Sequence, residues 1–186
     1  GILRQHPLSS EKRDEFLALM AGQVDKLEFL LASLIKMSRL ETGTFALHLE
    51  ESPLSETLAK AVGTVWAKGE AKGIALAIHC DDTITVCHDP KWTAEALGNI
   101  LDNAVKYAGP GGTVTLTLER HQERLRLAVH NTGEPIPPEH LPRLFERFSR
   151  TDSDRARSQG GYGLGLSIAK SIADGHRGRI SVSSSA

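Results

Sequence analysis

Apolar residues recur at three- and four-residue spacing early in the chain: Leu17, Met20, Val24, Leu27, Leu31 and Leu34. A second stripe of Phe16, Leu30 and Met37 lies beside the first. This is the period of one helix face, and it predicts a helix over residues 9–40. Ser10 is a candidate N-cap, with Glu11 and Asp14 in the first turn and Gly43 as a stop. The apolar face is too broad for a two-stranded seam and suits a helical bundle, though a surface helix of a globular domain would share the pattern.

Beyond Gly43 the texture changes. Residues 44–50 alternate like a strand, and residues 53–68 read as one Ala-rich helix with Pro53 in its first turn. Strands are predicted over 74–80 and 84–87, joined by a turn at Asp81-Asp82. A helix follows over 91–107, then strands over 113–119 and 125–129 that alternate as half-buried antiparallel strands do. Residues 131–162 show little periodicity. A helix restarts over 164–174, ends at Gly175 and Gly178, and is followed by a strand over 179–183. The predicted class is α+β: a two-layer α/β sandwich, with helices on one face of a mixed, mostly antiparallel sheet, preceded by a long bundle helix.

Composition changes this picture little. The chain has 186 residues, 40% hydrophobic and 24% charged, enough for one or two cored domains. A net charge of −1 argues against nucleic acid as a partner. No apolar run reaches membrane-spanning length, and no signal peptide is evident. Cys80 and Cys87 form no metal or redox pattern and are expected to be buried, reduced thiols in a cytosolic setting. A start at Gly1 and an end at Ser183-Ser184-Ser185-Ala186, directly after a strand-like run, read as the bounds of a piece of a longer protein.

Three motifs carry the chemistry. Asn99 and Asn103 lie four apart on the 91–107 helix, so their amides share a face, with Lys106 and Tyr107 one turn on. An amide oxygen is a hard neutral ligand suited to magnesium, and a lysine offsets phosphate charge. Asn131-Thr132-Gly133 breaks a strand. Its side chain can accept from an exocyclic amine, and Gly133 lets a planar ring approach. Gly161-Tyr162-Gly163-Leu164-Gly165-Leu166 precedes a helix, where bare N–H groups and the helix dipole form an anion cradle. Singly, each motif is equally a solvated helix amide or an ordinary turn. In this order they describe a pocket for a nucleoside triphosphate and its magnesium ion. The glycines follow no first βαβ strand, which excludes a Rossmann reading, and no Gly-Lys-Ser/Thr ending marks a Walker loop.

These segments resemble the catalytic domain of bacterial sensor histidine kinases, a branch of the gyrase, chaperone and mismatch-repair ATPase superfamily with the Bergerat-type ATP-binding fold. Asn99-Ile-Leu-Asp-Asn103-Ala-Val-Lys106-Tyr107 resembles the N box. Val129-His-Asn131-Thr-Gly133-Glu-Pro135-Ile136-Pro137 resembles the first glycine box. Leu144-Phe145-Glu-Arg147-Phe148-Ser-Arg150 resembles the F box, and Gly161 to Leu166 the second glycine box. Met37-Ser38-Arg39-Leu40-Glu41-Thr-Gly43 is similar to the end of the second helix of the dimerisation and phosphoacceptor domain.

The resemblance implies residues 1–43 as part of that helical domain and 44–186 as the ATP-binding catalytic domain. It implies ATP and Mg2+ as cofactors, with Asn103 as metal ligand. Lys106, Tyr107 and Arg150 would lie near phosphates or ribose. Asn131 would read the adenine amine, Gly133 would let the ring approach, and Ile136 would also belong to the nucleotide site. Gly161, Tyr162, Gly163, Leu164, Gly165 and Leu166 would shape the lid and phosphate cradle. Residues 148–161 would form the ATP lid, anchored by Phe145 and Phe148. A homodimer through the helical region, a cognate response regulator, and a membrane sensor upstream of a cytoplasmic portion are also implied.

The chain departs from the family in three places. Asn131 stands where Asp is usual, and Pro135 replaces the second glycine of its box. The phosphoacceptor motif, a histidine followed by an acidic residue and a nearby proline on the first bundle helix, matches none of the eight histidines, His6-Pro7 included. The chain is therefore expected to bind ATP and to transfer its γ-phosphoryl group to a histidine it does not contain. Superfamily hydrolases carry Glu at the position of Asn99, and an amide cannot serve as that base, so Asn99 favours transfer over hydrolysis. A regulatory ATP-binding module without catalysis, an ATP-hydrolysing machine and an anti-sigma-type serine kinase are the alternatives.

Overall fold

A computed structural model describes residues 9–41, 46–122, 124–149 and 162–185. The chain divides into two compact units, Gly1–Thr44 and Phe45–Ala186.

In the first unit, α1 spans Ser10–Glu41. Its start is capped by Ser9, one residue before the expected cap: the Lys12 N–H donates to Ser9 Oγ at 3.4 Å and the Arg13 N–H to Ser9 O at 3.0 Å. Along its length Leu17, Met20, Val24, Leu27, Leu31 and Leu34 remain roughly half exposed. The helical period is as expected; on the neighbouring stripe Leu30 is half-buried and Ser33 is buried.

The second unit begins with β1 (Glu50–Pro53) rather than a strand over 44–50; residues 46–49 have no regular structure. The expected single helix over 53–68 is two, α2 (Leu54–Gly63) and α3 (Trp66–Ala71). Gly63 favours an ending, and Thr64 completes it by donating its Oγ1–H to Ala61 O at 2.7 Å. Next come β2 (Ala75–His79), β3 (Thr85–His88), α4 (Pro90–Tyr107), β4 (Thr113–His121) and β5 (Arg124–Asn131). A short 3-10 turn at Leu141–Arg143 and α5 (Gly165–Gly175) complete the order. Residues 178–185 carry no regular structure, so the strand expected over 179–183 does not form among them.

The strands form two small sheets. β1 pairs antiparallel with β3, and the second sheet runs β2-β4-β5, with β2–β4 parallel and β4–β5 antiparallel. The turn between β2 and β3 therefore links two sheets. Asp81 forms it by accepting from Thr83 N at 2.9 Å and Thr83 Oγ1 at 2.6 Å, which holds the Asp81 carboxyl below its ordinary range. In β4 the alternation is plain: Val114, Leu116 and Leu118 are buried, with threonines between them. That face packs with Leu58, Ala61, Leu97, Leu101 and Val105 in one core, joined from β5 by Leu125, Leu127 and Val129. Helix α4 packs against α2, α5 and β5. The result is the mixed α/β sandwich expected, with the helical layer centred on α4.

The cysteines depart from expectation. Both are free thiols, but Cys80 is only half-buried and Cys87 is exposed: along β3 Val86 and His88 take the covered face and Cys87 the open one. Burial pushes the Cys80 thiol up, and the carboxylates of Asp82 and Asp81 push it the same way.

Two outcomes follow from the packing. Leu58→Ala, at a side chain only 2% exposed, should destabilise the second unit by about 2–5 kcal/mol, read by urea denaturation. Iodoacetamide at neutral pH should alkylate Cys87 before Cys80, because a raised, half-covered thiol holds little thiolate. Peptide mass spectrometry over a time course checks the order.

Candidate nucleotide site

Helix α4 supplies the first wall of the site. Asp89 caps it, accepting from the Trp92 N–H at 3.0 Å, and Pro90 occupies the first turn. Leu97, Leu101, Ala104 and Val105 are buried, which fixes the rotation of the helix. By the helical period Asn99, Asn103 and Lys106 fall on a different side. Asn99 and Asn103 are half-buried and use one device: Asn99 Nδ2 donates to Glu95 O at 3.0 Å, and Asn103 Nδ2 to Asn99 O at 3.1 Å. With each amide nitrogen turned back onto the helix, each Oδ1 is left as the accepting atom. At the C-terminal end Lys106 Nζ donates to the Tyr107 hydroxyl at 2.7 Å and lies 4.4 Å from its ring centroid.

The second wall is the turn after β5. Asn131 is the last residue of that strand, opposite Val114 in the register. Its Nδ2 donates to Thr132 O at 3.4 Å, again leaving Oδ1 as acceptor. Thr132 pins the turn to β4: the Thr132 N–H donates to Thr113 O at 3.0 Å, and the Thr113 N–H to Thr132 Oγ1 at 2.9 Å. Gly133 then passes so close to α4 that a Cβ there would lie 2.6 Å from Tyr107 O. The first glycine box and the N box thus meet at backbone level. Further on, the half-buried Ile136 donates its N–H to Ser184 Oγ at 2.8 Å.

The third wall is the turn into α5. Gly163 has φ +70°, and a Cβ on it would lie 2.6 Å from Ser149 O, so both its conformation and its surroundings demand glycine. Its carbonyl accepts from the Phe148 N–H at 3.0 Å, and Phe148 is itself left-handed at φ +56°. A bulky residue in that region is strained, and such strain clusters where a loop must hold a particular shape. The Phe148 side chain is 58% exposed, so it is the Phe148 backbone, not the expected ring, that ties the F box to the glycine turn. Leu164 is 1% exposed and its side chain belongs to the core, leaving its backbone for the site. Gly165 opens α5, and a Cβ there would lie 3.1 Å from Asn99 Oδ1. Tyr162 and Leu166 are half-buried beside it. Arg150 and Gly161, and most of the expected lid, lie outside the described residues.

The structure therefore brings Asn99 to Gly165 and Tyr107 to Gly133, and the three motifs converge around α4. A separate concavity lined by Leu47, Leu49, Gly175, His176 and Arg177 lies at the far end of α5 and contains none of the motif residues. Sequence reasoning overlooked the groups that hold these walls in place. Buried Asp89 accepts from the His48 N–H at 2.9 Å as well as capping α4. His176 Nδ1 donates to Ile172 O at 2.9 Å, and its Nε2 accepts from the Asp89 N–H at 3.1 Å. His88 is buried, with Nε2 3.0 Å from Thr57 Oγ1. The Asp-Pro pair at 89–90 was a readable cap signal; the histidine partners, remote in sequence, left none.

With this geometry in view, likeness to known proteins becomes informative. Residues 88–186 match the family described as histidine kinase-, DNA gyrase B-, and HSP90-like ATPase. The chain is 41% identical over 133 residues to the sensor histidine kinase CusS of Escherichia coli O157:H7, covering 69% of this chain and 27% of that protein. It thus spans about a quarter of that relative's length. The catalytic domain of the histidine kinase ThkA superposes with a TM-score of 0.61 at 27% identity, over 69% of this chain and 82% of that one. Full-length ShkA, solved in complex with AMPPNP, matches at TM-score 0.73 and 26% identity, over 92% of this chain and 35% of that one. The chain belongs to the histidine kinase-, DNA gyrase B- and HSP90-like ATPase family, and its fold is similar to that of a histidine kinase catalytic domain.

Proposed function

We propose that the three walls around α4 bind Mg-ATP and present its γ-phosphoryl group to a histidine imidazole outside these 186 residues. The observation that carries this reading is the amide pair. Asn99 and Asn103 each turn Nδ2 onto the helix and keep Oδ1 as acceptor, with the Gly165 turn at Asn99 Oδ1. That donor set fits magnesium, a hard cation that takes neutral oxygens and shares phosphates. Asn103 would hold the ion, with Asn99 beside it. When bound, magnesium neutralises charge on the phosphate oxygens.

The chain's own groups do the rest. Asn131 Oδ1 accepts from the adenine amine, and the Gly133 turn lets the ring lie close, with Ile136 beside it. Lys106 and Tyr107 hold phosphate or ribose oxygens. The N–H groups around Gly163, Leu164 and Gly165, at the start of α5, cradle the phosphates. Arg150, Gly161, Tyr162 and Leu166 are assigned to this site on the resemblance. In the transfer the imidazole nitrogen attacks the γ-phosphorus, the bond to the β–γ bridging oxygen breaks, and ADP leaves. Positioning and charge neutralisation supply the catalysis. Asn99 cannot remove a proton from water, which disfavours hydrolysis in the same pocket.

For the parent protein we propose a homodimer through the helical region, with residues 1–43 as part of the dimerisation and phosphoacceptor domain and 44–186 as the catalytic domain. The half-exposed apolar face of α1 supports this, since such a face needs a partner. A response regulator would receive the phosphoryl group. Anchoring to a membrane would come from other segments; no helix among the described residues is long and apolar enough to cross one.

Asn103→Ala should weaken magnesium-dependent ATP binding by at least the roughly 10–100-fold that even a supporting residue of a metal site is worth. Calorimetry with and without magnesium reads this, and an unchanged affinity would refute the metal assignment. With labelled ATP, the full-length parent should acquire an acid-labile, base-stable label. ATP bound without such a label would point to a regulatory module, in keeping with Asn131 and Pro135.

A further inference from the structure

The nucleotide face of α4 ends in a problem. The last turn of a helix leaves its carbonyls without partners and carries about half a negative charge. Here that end bears Lys106 and Tyr107, beside the place proposed for the phosphates. One of its carbonyls is satisfied by the helix's own continuation: the Ala108 N–H donates to Ala104 O at 2.9 Å, and Ala108 then turns extended at φ −60°, ψ 136°. No left-handed glycine caps it.

The cap comes from another helix. Lys72, the residue that ends α3, sends its Nζ to Val105 O and Lys106 O at 2.8 Å each, and to Ala108 O at 3.3 Å. Three carbonyls of one helix end thus converge on a single ammonium, which has three hydrogens to give. The backbone of Lys72 is itself held. Its N–H reaches Gly69 O at 3.1 Å, and its carbonyl accepts from the Gly111 N–H at 3.4 Å. One turn earlier on α3, Lys68 pairs with Asp102, between the two amides of α4. Two lysines four residues apart therefore grip α4 at two points. The remaining terminal carbonyl, Tyr107 O, is the one against which Gly133 packs.

We propose that Lys72 is a positioning residue for nucleotide binding: it caps α4 from outside, fixes the Lys106–Tyr107 end, and offsets the negative end of the helix where the phosphates must come. This rests on the reading that the α4 face binds Mg-ATP. Lys72 acts through the carbonyls and through Lys106, and needs no contact with the ligand.

The test is a double-mutant cycle on the full 186-residue chain, read by calorimetry with Mg-ATP and with adenine. Lys72→Met, which keeps the stem and removes the donors, should weaken Mg-ATP by about tenfold, the size of one charge-assisted hydrogen bond. Adenine affinity should hold, and Lys72→Arg should recover most of the loss. In a Lys106→Met background, Lys72→Met should do little more. Amide exchange at Ala108 should also quicken in Lys72→Met. Unchanged Mg-ATP affinity, equal loss for adenine, additive effects in the cycle or unchanged exchange at Ala108 would each overturn the proposal. If Lys72→Met fails to fold, Lys72→Gln carries the same comparison. Failure of the unsubstituted chain to bind Mg-ATP is a distinct result: it would remove the nucleotide reading, and this proposal with it.

Discussion

Everything in the second unit depends on one helix facing two ways. Helix α4 buries Leu97, Leu101, Ala104 and Val105 against α2 and the sheet, and the same 18 residues must present Asn99, Asn103 and Lys106. The 3.6-residue period separates the two sets. Because the apolar side is locked into a close-packed core, the polar side has almost no rotational freedom, and the amides inherit their aim from leucines that never meet a ligand. Asn99 and Asn103 then fix their own rotamers by bonding to the carbonyl four residues back.

The loops are shaped by the same helix. Gly133 and Gly165 are the points where chain from elsewhere comes down onto α4, one at Tyr107 O and one at Asn99 Oδ1. Between them, the left-handed pair Phe148 and Gly163 closes a single hydrogen bond that brings the F-box turn to the start of α5. Bulk is excluded at these contacts by backbone and amide atoms of the protein itself. The glycine pattern is thus explained by folding as well as by recognition.

Much of this was legible in the chain. The Asn-Asn spacing, the strand-ending Asn131 and the glycine run before a helix each carry a local signal, and the structure places all three around α4. The alternating burial of β4 was equally plain. What escaped had no local signature. Gly63 favours an ending, but nothing local says that a second helix will start at Trp66, and an alternating run at 179–183 cannot say whether a neighbouring strand will accept it. The exposure of Cys87 depends on which face of β3 the core covers. Lys72 reads as one more surface lysine, because its partners lie 33, 34 and 36 residues away.

The Asp89–His176 link, taken with the Asn99–Gly165 approach, has a mechanical meaning. The two junctions sit about ten residues apart on each helix, which is about 15 Å of helix length, and in opposite chain directions. Two struts held together at two points resist sliding past one another. The spacing between the α4 amides and the glycine turn is therefore set when the chain folds, so an incoming ligand meets a gauge already cut to length.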